Sequence, residues 1–531
     1  MISRQKRQCI TGHIRLGLLL LSSLLFYACF GRASSFSAVP ASGKSLSGLL
    51  APVCVIFLSG LTWLGGLWIG RSKRPGYPAF FTILLLLGAW LTQKWSGIFL
   101  LGISFYSLQA IGYLLDVKNS TYPPEKNPFY ILFFLSFFPL SIQGPICRYQ
   151  DFKKQIRHVI AASSSPDSEA SASTRTSESP RCTGGIGRII LGAFKKLVIA
   201  DRIALMTTAV FSQPDVYQGF YVLLGLFAYT IQLYADFTGG IDITLGLARC
   251  LGFSLPENFD HPLKARSLAE YWRRWHITLG SWFRDYVFYP VTLWVAMFLS
   301  SHQKNRRKIP IQKLSVWSAT LLTWSLTGLW HGLEPRFLLW GLLNGGILLL
   351  SQSLEACKKR HVKLPGKEQG LLQMVYVFVL TSLLRSLDCY PDIRTAGRQL
   401  CSILTAPFCH SWLGWADWLT NRQAGLTFSE VFFPGLKTAD LLLLFVCLAG
   451  YWLIRLLLFL VHKKHCTLGE TEIAAEKKGV ALDFLACRFF QTPSGYWFYH
   501  VGCALLLLAT LLFGIYGEGY DATGFIYGGF V

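Results

Sequence analysis

Charged residues are scarce in this sequence, and their scarcity argues against a soluble enzyme. Asp, Glu, Lys and Arg make up 15% of the 531 residues, whereas 52% of the residues are hydrophobic and 15% are aromatic. Soluble globular domains usually carry about 25% charged residues. The composition therefore predicts a protein for which lipid is the main solvent.

Several motifs of common metal and active sites are also missing. None of the 14 cysteines forms a C-x-x-C pair and no H-E-x-x-H segment occurs, so zinc sites and haem attachment have no support. No G-x-S-x-G elbow offers a serine nucleophile. We therefore expect no metal and no bound cofactor, and we expect any group transfer to proceed without a covalent enzyme intermediate.

The few charges are strongly unbalanced, with a formal net charge of +22. Basic residues cluster between hydrophobic stretches, as at Arg71, Lys73 and Arg74. Lys and Arg near the ends of membrane spans mark cytoplasmic loops and contact anionic head groups. The charge thus indicates membrane topology, and we expect no nucleic-acid partner.

Hydrophobic stretches that could cross a bilayer recur along the chain. A hydrocarbon core of roughly 30 Å needs about 20 apolar residues in a helix. The best candidates are residues 49–70, 78–93, 96–115, 129–146, 217–235, 314–333, 337–351, 371–386, 440–461 and 498–516; weaker ones are 16–30, 186–210 and 287–300. Segment 16–30 has the basic flank of a signal peptide, but we expect a retained helix because no clean cleavage site follows. The sequence predicts an all-α polytopic membrane bundle with about ten to thirteen membrane segments, some of them re-entrant.

The chain divides into blocks at two polar stretches. Residues 161–185 are rich in Ser, Thr, Ala and Gly, which predicts a disordered loop between N-terminal membrane helices (1–160) and a central core (186–351). A C-terminal membrane block (352–531) contains a second polar connection, 387–438. Its Trp412, Trp415 and Trp418 are typical of an interfacial aromatic belt.

Residues 234–252 place charged side chains within an apolar, Gly-rich segment. Asp236, Asp242 and Arg249 would be costly at membrane depth unless they pair or face a wet cavity. Structural pairing and a direct substrate role are about equally supported. We expect Gly239 and Gly240 to interrupt the helix, which favours Asp236 as a scaffold residue that caps the break.

The tract WRRWHITLGSWFRDY, residues 272–286, alternates aromatic and charged side chains. One interpretation is an amphipathic helix at the membrane surface. The other is a basic, aromatic funnel that recruits an anionic acyl donor, in which His276 lies among residues that would bind substrate: Arg273, Arg274, Trp275, Arg284 and Asp285. The preceding LPENF segment, residues 255–259, predicts a loop.

The sharpest candidate site is GLWHG, residues 328–332, where Trp330 and His331 end an apolar run and Trp330 is a candidate substrate-binding residue. An imidazole has an unperturbed pKa of about 6.5, so it is mostly neutral at pH 7 and can accept a proton as a general base. A structural histidine between packed helices explains the same residues equally well.

Several long motifs in the same order carry a family resemblance. YADFTGGIDITLGLA, LPENF, the 272–286 tract and GLWHG, together with GISFYSLQAIGYLLDV (102–117), FFPLSIQGPICRYQDF (137–152) and FIYGGF (525–530), resemble the membrane-bound O-acyltransferase family. The likeness is strongest to its bacterial alginate O-acetyltransferase branch, with D-alanyl transfer proteins of teichoic acid synthesis close by. It implies a helical bundle around a funnel, with His331 as the catalytic histidine and His276 as the second, assisting one.

The resemblance also implies substrates and partners. The expected function is transfer of an acyl group, in the first instance acetyl, from a cytoplasmic thioester to a hydroxyl of a cell-surface or exported polysaccharide. The co-substrate would be an acyl-CoA or an acyl carrier protein, and an extracytoplasmic partner acyltransferase would complete the transfer outside the plasma membrane. Two alternatives remain: D-alanyl transfer to teichoic acid, and a non-enzymatic transporter in which His331, Asp236 and Arg249 form an ion-pair or conduction network.

Overall fold

The structure, a computed structural model, describes residues 2–33, 44–96, 101–141, 143–162, 178–302, 310–358, 367–405, 433–450 and 493–515. Within these ranges the regular structure is helical, and the one β-type contact is an isolated bridge between Phe259 and Trp275. The all-α prediction is confirmed. The predicted aromatic belt at Trp412, Trp415 and Trp418 and the FIYGGF segment lie outside the described residues.

The α-helices of the described ranges are numbered α1 to α19. In chain order they are α1 (Ile2–Ala33), α2 (Lys44–Arg71), α3 (Gly76–Ser96), α4 (Ile103–Lys118), α5 (Pro128–Ser136), α6 (Tyr149–Ala162), α7 (Glu178–Phe194), α8 (Asp201–Ser212), α9 (Phe220–Cys250), α10 (Leu268–Arg274), α11 (Ile277–Phe283), α12 (Tyr289–His302), α13 (Ile311–His331), α14 (Pro335–Lys358), α15 (Lys367–Leu384), α16 (Ser386–Cys389), α17 (Ile393–Thr405), α18 (Thr438–Gly450) and α19 (Pro493–Phe513). Two π-helical turns, Lys195–Ala200 and Arg284–Phe288, join α7 to α8 and α11 to α12.

Six helices in the described ranges are long and apolar enough to cross a membrane: Gly12–Cys29, Leu50–Arg71, Gly76–Trp95, Phe220–Cys250, Pro335–Leu354 and Gly370–Cys389. Large apolar side chains on their outward faces are exposed, among them Phe57 (68%) and Leu372 (69%). Such exposure is expected of a surface that faces lipid, because a soluble monomer rarely exposes a continuous apolar face. A polytopic membrane protein is thus confirmed.

One predicted span is wrong. Residues 129–146 do not form a single membrane helix, because α5 ends at Ser136 and is followed by the 3-10 turn Phe138–Leu140 and irregular chain. Pro139 and Pro145 lack the amide hydrogens that a continued helix needs. The irregular chain is buried inside the bundle, where Ser141 donates to the Tyr27 hydroxyl at 2.8 Å.

The expected break at Gly239 and Gly240 is also wrong, since α9 runs unbroken through both. A Cβ atom at Gly239 would lie 2.8 Å from the carbonyl oxygen of Gly192 on α7, so these glycines allow two helices to touch at the backbone. Gly185 packs in the same way, because its Cβ would lie 2.7 Å from the Gly246 carbonyl oxygen. This packing extends α7 back to Glu178, so the last eight positions of the predicted loop 161–185 are helical.

We expect Gly239→Ala to destabilise the protein by about 1–3 kcal/mol, the usual range for overpacking a tight contact. The added methyl group must push α7 and α9 apart. Gly346→Ala on α14 is the matched control, because a Cβ there meets no atom within 4 Å and alanine favours a helix. Thermal unfolding in detergent would compare the two; equal stability of both variants would refute the proposed packing.

Candidate active site

A break between α10 and α11 holds the first of the two predicted catalytic histidines. His276 has a left-handed backbone with φ 48°, which few non-glycine residues adopt. The break is fixed by the Phe259–Trp275 bridge and by a hydrogen bond of 2.9 Å from the Ile277 amide to the Asn258 carbonyl oxygen. The LPENF segment therefore holds His276, which is 3% exposed, in the interior.

The second histidine, His331, is the last residue of α13, and the Trp330 ring contacts both His331 and His276. The ring centroid of Trp330 lies 5.0 Å from that of His331 and 6.2 Å from that of His276, both in T-shaped contacts. Trp330 also contacts Phe105 of α4 at 5.9 Å. Residues far apart in the sequence thus form one His-Trp-His cluster where α4, α11 and α13 meet.

Tryptophans form a wall on the other side of His331. The Trp340 ring lies 5.3 Å from the His331 ring and 5.6 Å from the Trp272 ring, and Trp324 lies 4.9 Å from Trp272. These indoles come from α10, α13 and α14. They give His331, which is partly buried, an apolar and aromatic environment.

Charged groups surround this aromatic cluster. Lys94 of α3 donates to the His331 carbonyl oxygen at 3.4 Å. The Arg385 guanidinium lies 5.2 Å from the Trp275 ring centroid and pairs with Asp388 at 3.0 Å, with both side chains less than a tenth exposed. Arg385 and Asp388 belong to none of the motifs named from the sequence; their spacing of three residues at the end of predicted span 371–386 is the signal that points to a pair.

The predicted substrate-binding residues divide into two groups. Trp275 and Trp330 belong to the histidine cluster, whereas the charged residues lie at or near the surface. Arg273 is exposed, and Arg274 pairs with Glu270 at 2.7 Å. Asp285 pairs with Arg284 at 3.0 Å and with Arg148 at 2.8 Å. The alternative of one amphipathic surface helix over 272–286 is wrong, because the tract is broken at Trp275 and His276 and both side chains are buried.

Asp236 is fully buried and forms an ion pair of 2.7 Å with Lys196 of the first π-helical turn. Lys196 also pairs with Asp201 at 2.8 Å. The neighbouring Phe237 ring lies 4.9 Å from the His276 ring. This arrangement favours the scaffold role of Asp236 over substrate contact. The expected capping role is wrong, because α9 has no break at Asp236.

Asp242 is paired as well, with Arg188 at 2.9 Å and Lys195 at 2.6 Å. In the ranges that the structure describes, no group of three His, Cys, Asp or Glu side chains comes together that could hold a metal ion. The chemistry available at the site is therefore that of imidazoles, indoles and a buried guanidinium.

The family profile described as membrane-bound O-acyltransferase matches residues 125–385. This match spans the LPENF segment and both histidines and ends at Arg385, whose partner Asp388 lies outside it. The region belongs to the membrane-bound O-acyltransferase family. The motifs at 102–117, 255–259, 272–286 and 328–332 meet at the His-Trp-His cluster.

Curated relatives of this chain are named as O-acetylating or D-alanyl-transferring proteins. The chain is 30% identical over 353 residues to a "probable alginate O-acetylase" of Azotobacter vinelandii, covering 66% of this chain and 60% of the relative. It is 27% identical over 281 residues to a teichoic acid D-alanyltransferase of Bacillus subtilis, covering 52% and 65%. A peptidoglycan O-acetyltransferase of Helicobacter pylori is 29% identical over 290 residues, covering 50% of each chain. The chain thus spans less than two thirds of the length of these relatives.

Proposed function

We propose that this protein is an O-acyltransferase that moves an acyl group, in the first instance acetyl, from a cytoplasmic thioester across the membrane to a hydroxyl of a cell-surface or exported polysaccharide. The observation that carries the proposal is the meeting of His331 and His276 across Trp330. The relatives' names, which cover alginate and peptidoglycan O-acetylation, support hydroxyl acceptors.

In this proposal His331 is the general base. Its neutral imidazole takes the proton of the acceptor hydroxyl while the hydroxyl oxygen attacks the thioester carbonyl carbon. The carbon–sulfur bond then breaks, and the leaving thiolate takes the proton back from the imidazolium. The tryptophan wall keeps water from the acyl group, which would otherwise be lost to hydrolysis. No covalent intermediate on the protein is needed.

The donor would reach this cluster along α4. A small cavity beside α4 is lined by Gln109, Asp116, Arg148, Tyr286 and neighbouring side chains. Gln109 Nε2 and Arg148 Nη1 are buried and make no hydrogen bond in the described part of the chain. Such donors suit the carbonyl and phosphate oxygens of a thioester's carrier arm. Gln109, which lines the cavity, lies about one turn along α4 from Phe105, which contacts Trp330.

The end of this cavity at Asp116 lies on the same side as the basic loop after α2. A Cβ atom at Gly70 would lie 2.5 Å from the Pro124 side chain, so the α2–α3 and α4–α5 connections pack together. The first of them carries Arg71, Lys73 and Arg74, which the positive-inside preference assigns to the cytoplasm. From Asp116 to Phe105 the helix rises about 16 Å toward the opposite face. The donor would therefore enter from the cytoplasm.

A buried carboxylate fixes the α4–α5 connection beside this cavity. Glu125 accepts hydrogen bonds from Lys153, from the Tyr149 hydroxyl at 2.6 Å and from the Asn127 amide at 2.9 Å. Burial opposes ionisation, but these hydrogen bonds outweigh it and hold the pKa of Glu125 below its usual value. The α4–α5 connection is thereby attached to α6.

We expect Arg148→Gln to raise the KM for the thioester donor by about tenfold or more, the cost of losing one hydrogen bond to a charged group. The kcat should change little, because Arg148 lies at the cavity and away from His331. Lys154→Gln removes the same charge from an exposed position on α6 and is the matched control. Steady-state kinetics with varied donor would test this; a KM equal to that of the control would remove Arg148 from the donor path.

D-alanyl transfer to teichoic acid is the second candidate, favoured by the Bacillus subtilis relative. Purified protein in proteoliposomes would be given acetyl-CoA, an acetylated carrier protein or a D-alanyl carrier protein, with soluble acceptor hydroxyls on the other side. Ester formation from only one donor identifies the acyl group. Ester formation from none, with wild type and His331→Gln protein behaving alike, would favour the transporter alternative.

A further inference from the structure

Asn258 is fully buried beside His276, and its side-chain oxygen is a centre of hydrogen bonding. Asn258 Oδ1 lies 3.2 Å from His276 Nδ1, and it accepts from the Thr278 amide at 3.1 Å and from the Thr278 hydroxyl at 2.8 Å. The Thr278 hydroxyl in turn accepts from the Ile146 amide at 3.0 Å. Asn258 therefore does more than complete a turn before α10.

These contacts decide which way the Asn258 amide faces. A backbone N–H can only donate, so the atom that the Thr278 amide contacts must be an acceptor. The Thr278 hydroxyl already accepts from Ile146 and uses its own hydrogen toward the same atom. A flipped amide would place an NH2 group against the Thr278 amide, with two donors facing each other in a buried site.

The direction of the amide in turn decides the protonation of His276. The amide oxygen has no hydrogen to give, so the hydrogen bond to His276 requires the proton to be on Nδ1. A neutral imidazole with Nδ1–H has its lone pair on Nε2. The opposite nitrogen would then be a hydrogen-bond acceptor inside the His-Trp-His cluster.

We propose that Asn258 is a positioning residue that fixes His276 as the Nδ1–H tautomer and so makes Nε2 its accepting nitrogen in the active site. The left-handed backbone of His276 brings the ring within reach of Asn258, and the Ile277 amide bonded to the Asn258 carbonyl oxygen holds the two chain segments together. The catalytic value of this tautomer rests on the proposed acyltransferase function, whereas the tautomer itself does not.

The first test reads the tautomer directly in the protein without substrate. Wild-type protein labelled with ¹⁵N-histidine would be compared by NMR with equally labelled His276→Gln protein. The signals that are missing from the variant belong to His276. We expect Nδ1 to be protonated in the wild type and in Asn258→Asp, which keeps an acceptor oxygen. Asn258→Leu should lose this preference. Protonation at Nε2 in the wild type, or an unchanged tautomer in Asn258→Leu, would overturn the proposal.

The second test separates positioning from simple structural support. Asn258→Leu should lower kcat by about 10- to 100-fold, the range found for partners that orient metal-ligating histidines, with KM nearly unchanged. Asn258→Asp should recover most of the loss. Thr278→Val removes the hydroxyl contact to the same oxygen but keeps the Thr278 amide and His276 contacts, so it should lower the melting temperature without lowering kcat. Equal kcat losses in Thr278→Val and Asn258→Leu would reduce Asn258 to a structural role.

The polar atom at position 276 gives a third readout. Glutamine places its amide near the position of Nε2, whereas asparagine places it near Nδ1. His276→Gln should therefore retain more activity than His276→Asn, and the reverse order would contradict the assignment. The two proposals can fail separately. If the NMR spectra show the expected tautomers but the wild-type protein transfers no acyl group, the proposed function fails and the tautomer assignment stands.

Discussion

Replacing His331 with glutamine should lower the rate of acyl transfer by about 100- to 10,000-fold, the contribution of a well-placed general base. Glutamine keeps a polar side chain between Trp330 and Trp340, and the His331 carbonyl oxygen remains available to Lys94. Only the ability to accept and return a proton is lost. Single-turnover kinetics in proteoliposomes would measure the rate of the chemical step.

The control for this variant is His158→Gln, which changes an exposed histidine on α6 in the same way. It should transfer acyl groups at the wild-type rate. A His331→Gln protein that is correctly folded and keeps more than about a tenth of the rate would show that no general base acts at this position.

Removing the carboxylate of Asp388 should destabilise the protein by about 3–5 kcal/mol, because a buried cation is then left without its partner. In Asp388→Leu the Arg385 guanidinium would remain stacked near Trp272 and Trp275, at 5.9 and 5.2 Å from the ring centroids, with its charge uncompensated. Chemical unfolding in mixed micelles would measure the loss of unfolding free energy.

The double variant Arg385→Met with Asp388→Leu is the matched control for that measurement. It replaces the whole pair by apolar side chains, a change that is often neutral or stabilising in buried sites. Recovery of stability in the double variant is therefore expected. If both variants unfold alike, the loss comes from packing rather than from the unpaired charge.

Helices were predictable from the sequence where apolar length alone defines them. The spans at 49–70, 78–93 and 314–333 agree closely with α2, α3 and α13. Predictions that depended on a neighbour were less successful. Gly239 looks like a helix breaker until α7 is placed against it, and residues 129–146 look like one span until Pro139 ends the helix. The contacting glycines recur every seven residues, at 185 and 192 on α7 and at 239 and 246 on α9, but this spacing does not say which helix is the partner.

The site residues, like the helices, were predictable where a local motif marks them and not where a distant contact decides their role. Aromatic and histidine motifs identified Trp330, His331 and His276 individually, and the structure brings them together. Asn258 was predicted only as a loop residue, because its partners lie eighteen and twenty positions later in the chain. Arg274, Arg284 and Asp285 were expected to bind substrate, yet each pairs with a charged neighbour. Their role in substrate binding stays a prediction.

The most direct measurement is the ester content of the host's surface polysaccharide, determined by mass spectrometry of released acyl groups. Cells would carry wild-type, His331→Ala or His331→Gln protein at matched membrane levels. We predict that both variants insert normally and lose the ester, and the mass of the missing group would then identify the acyl group. Full esterification with either variant would contradict the assignment of His331 as the general base.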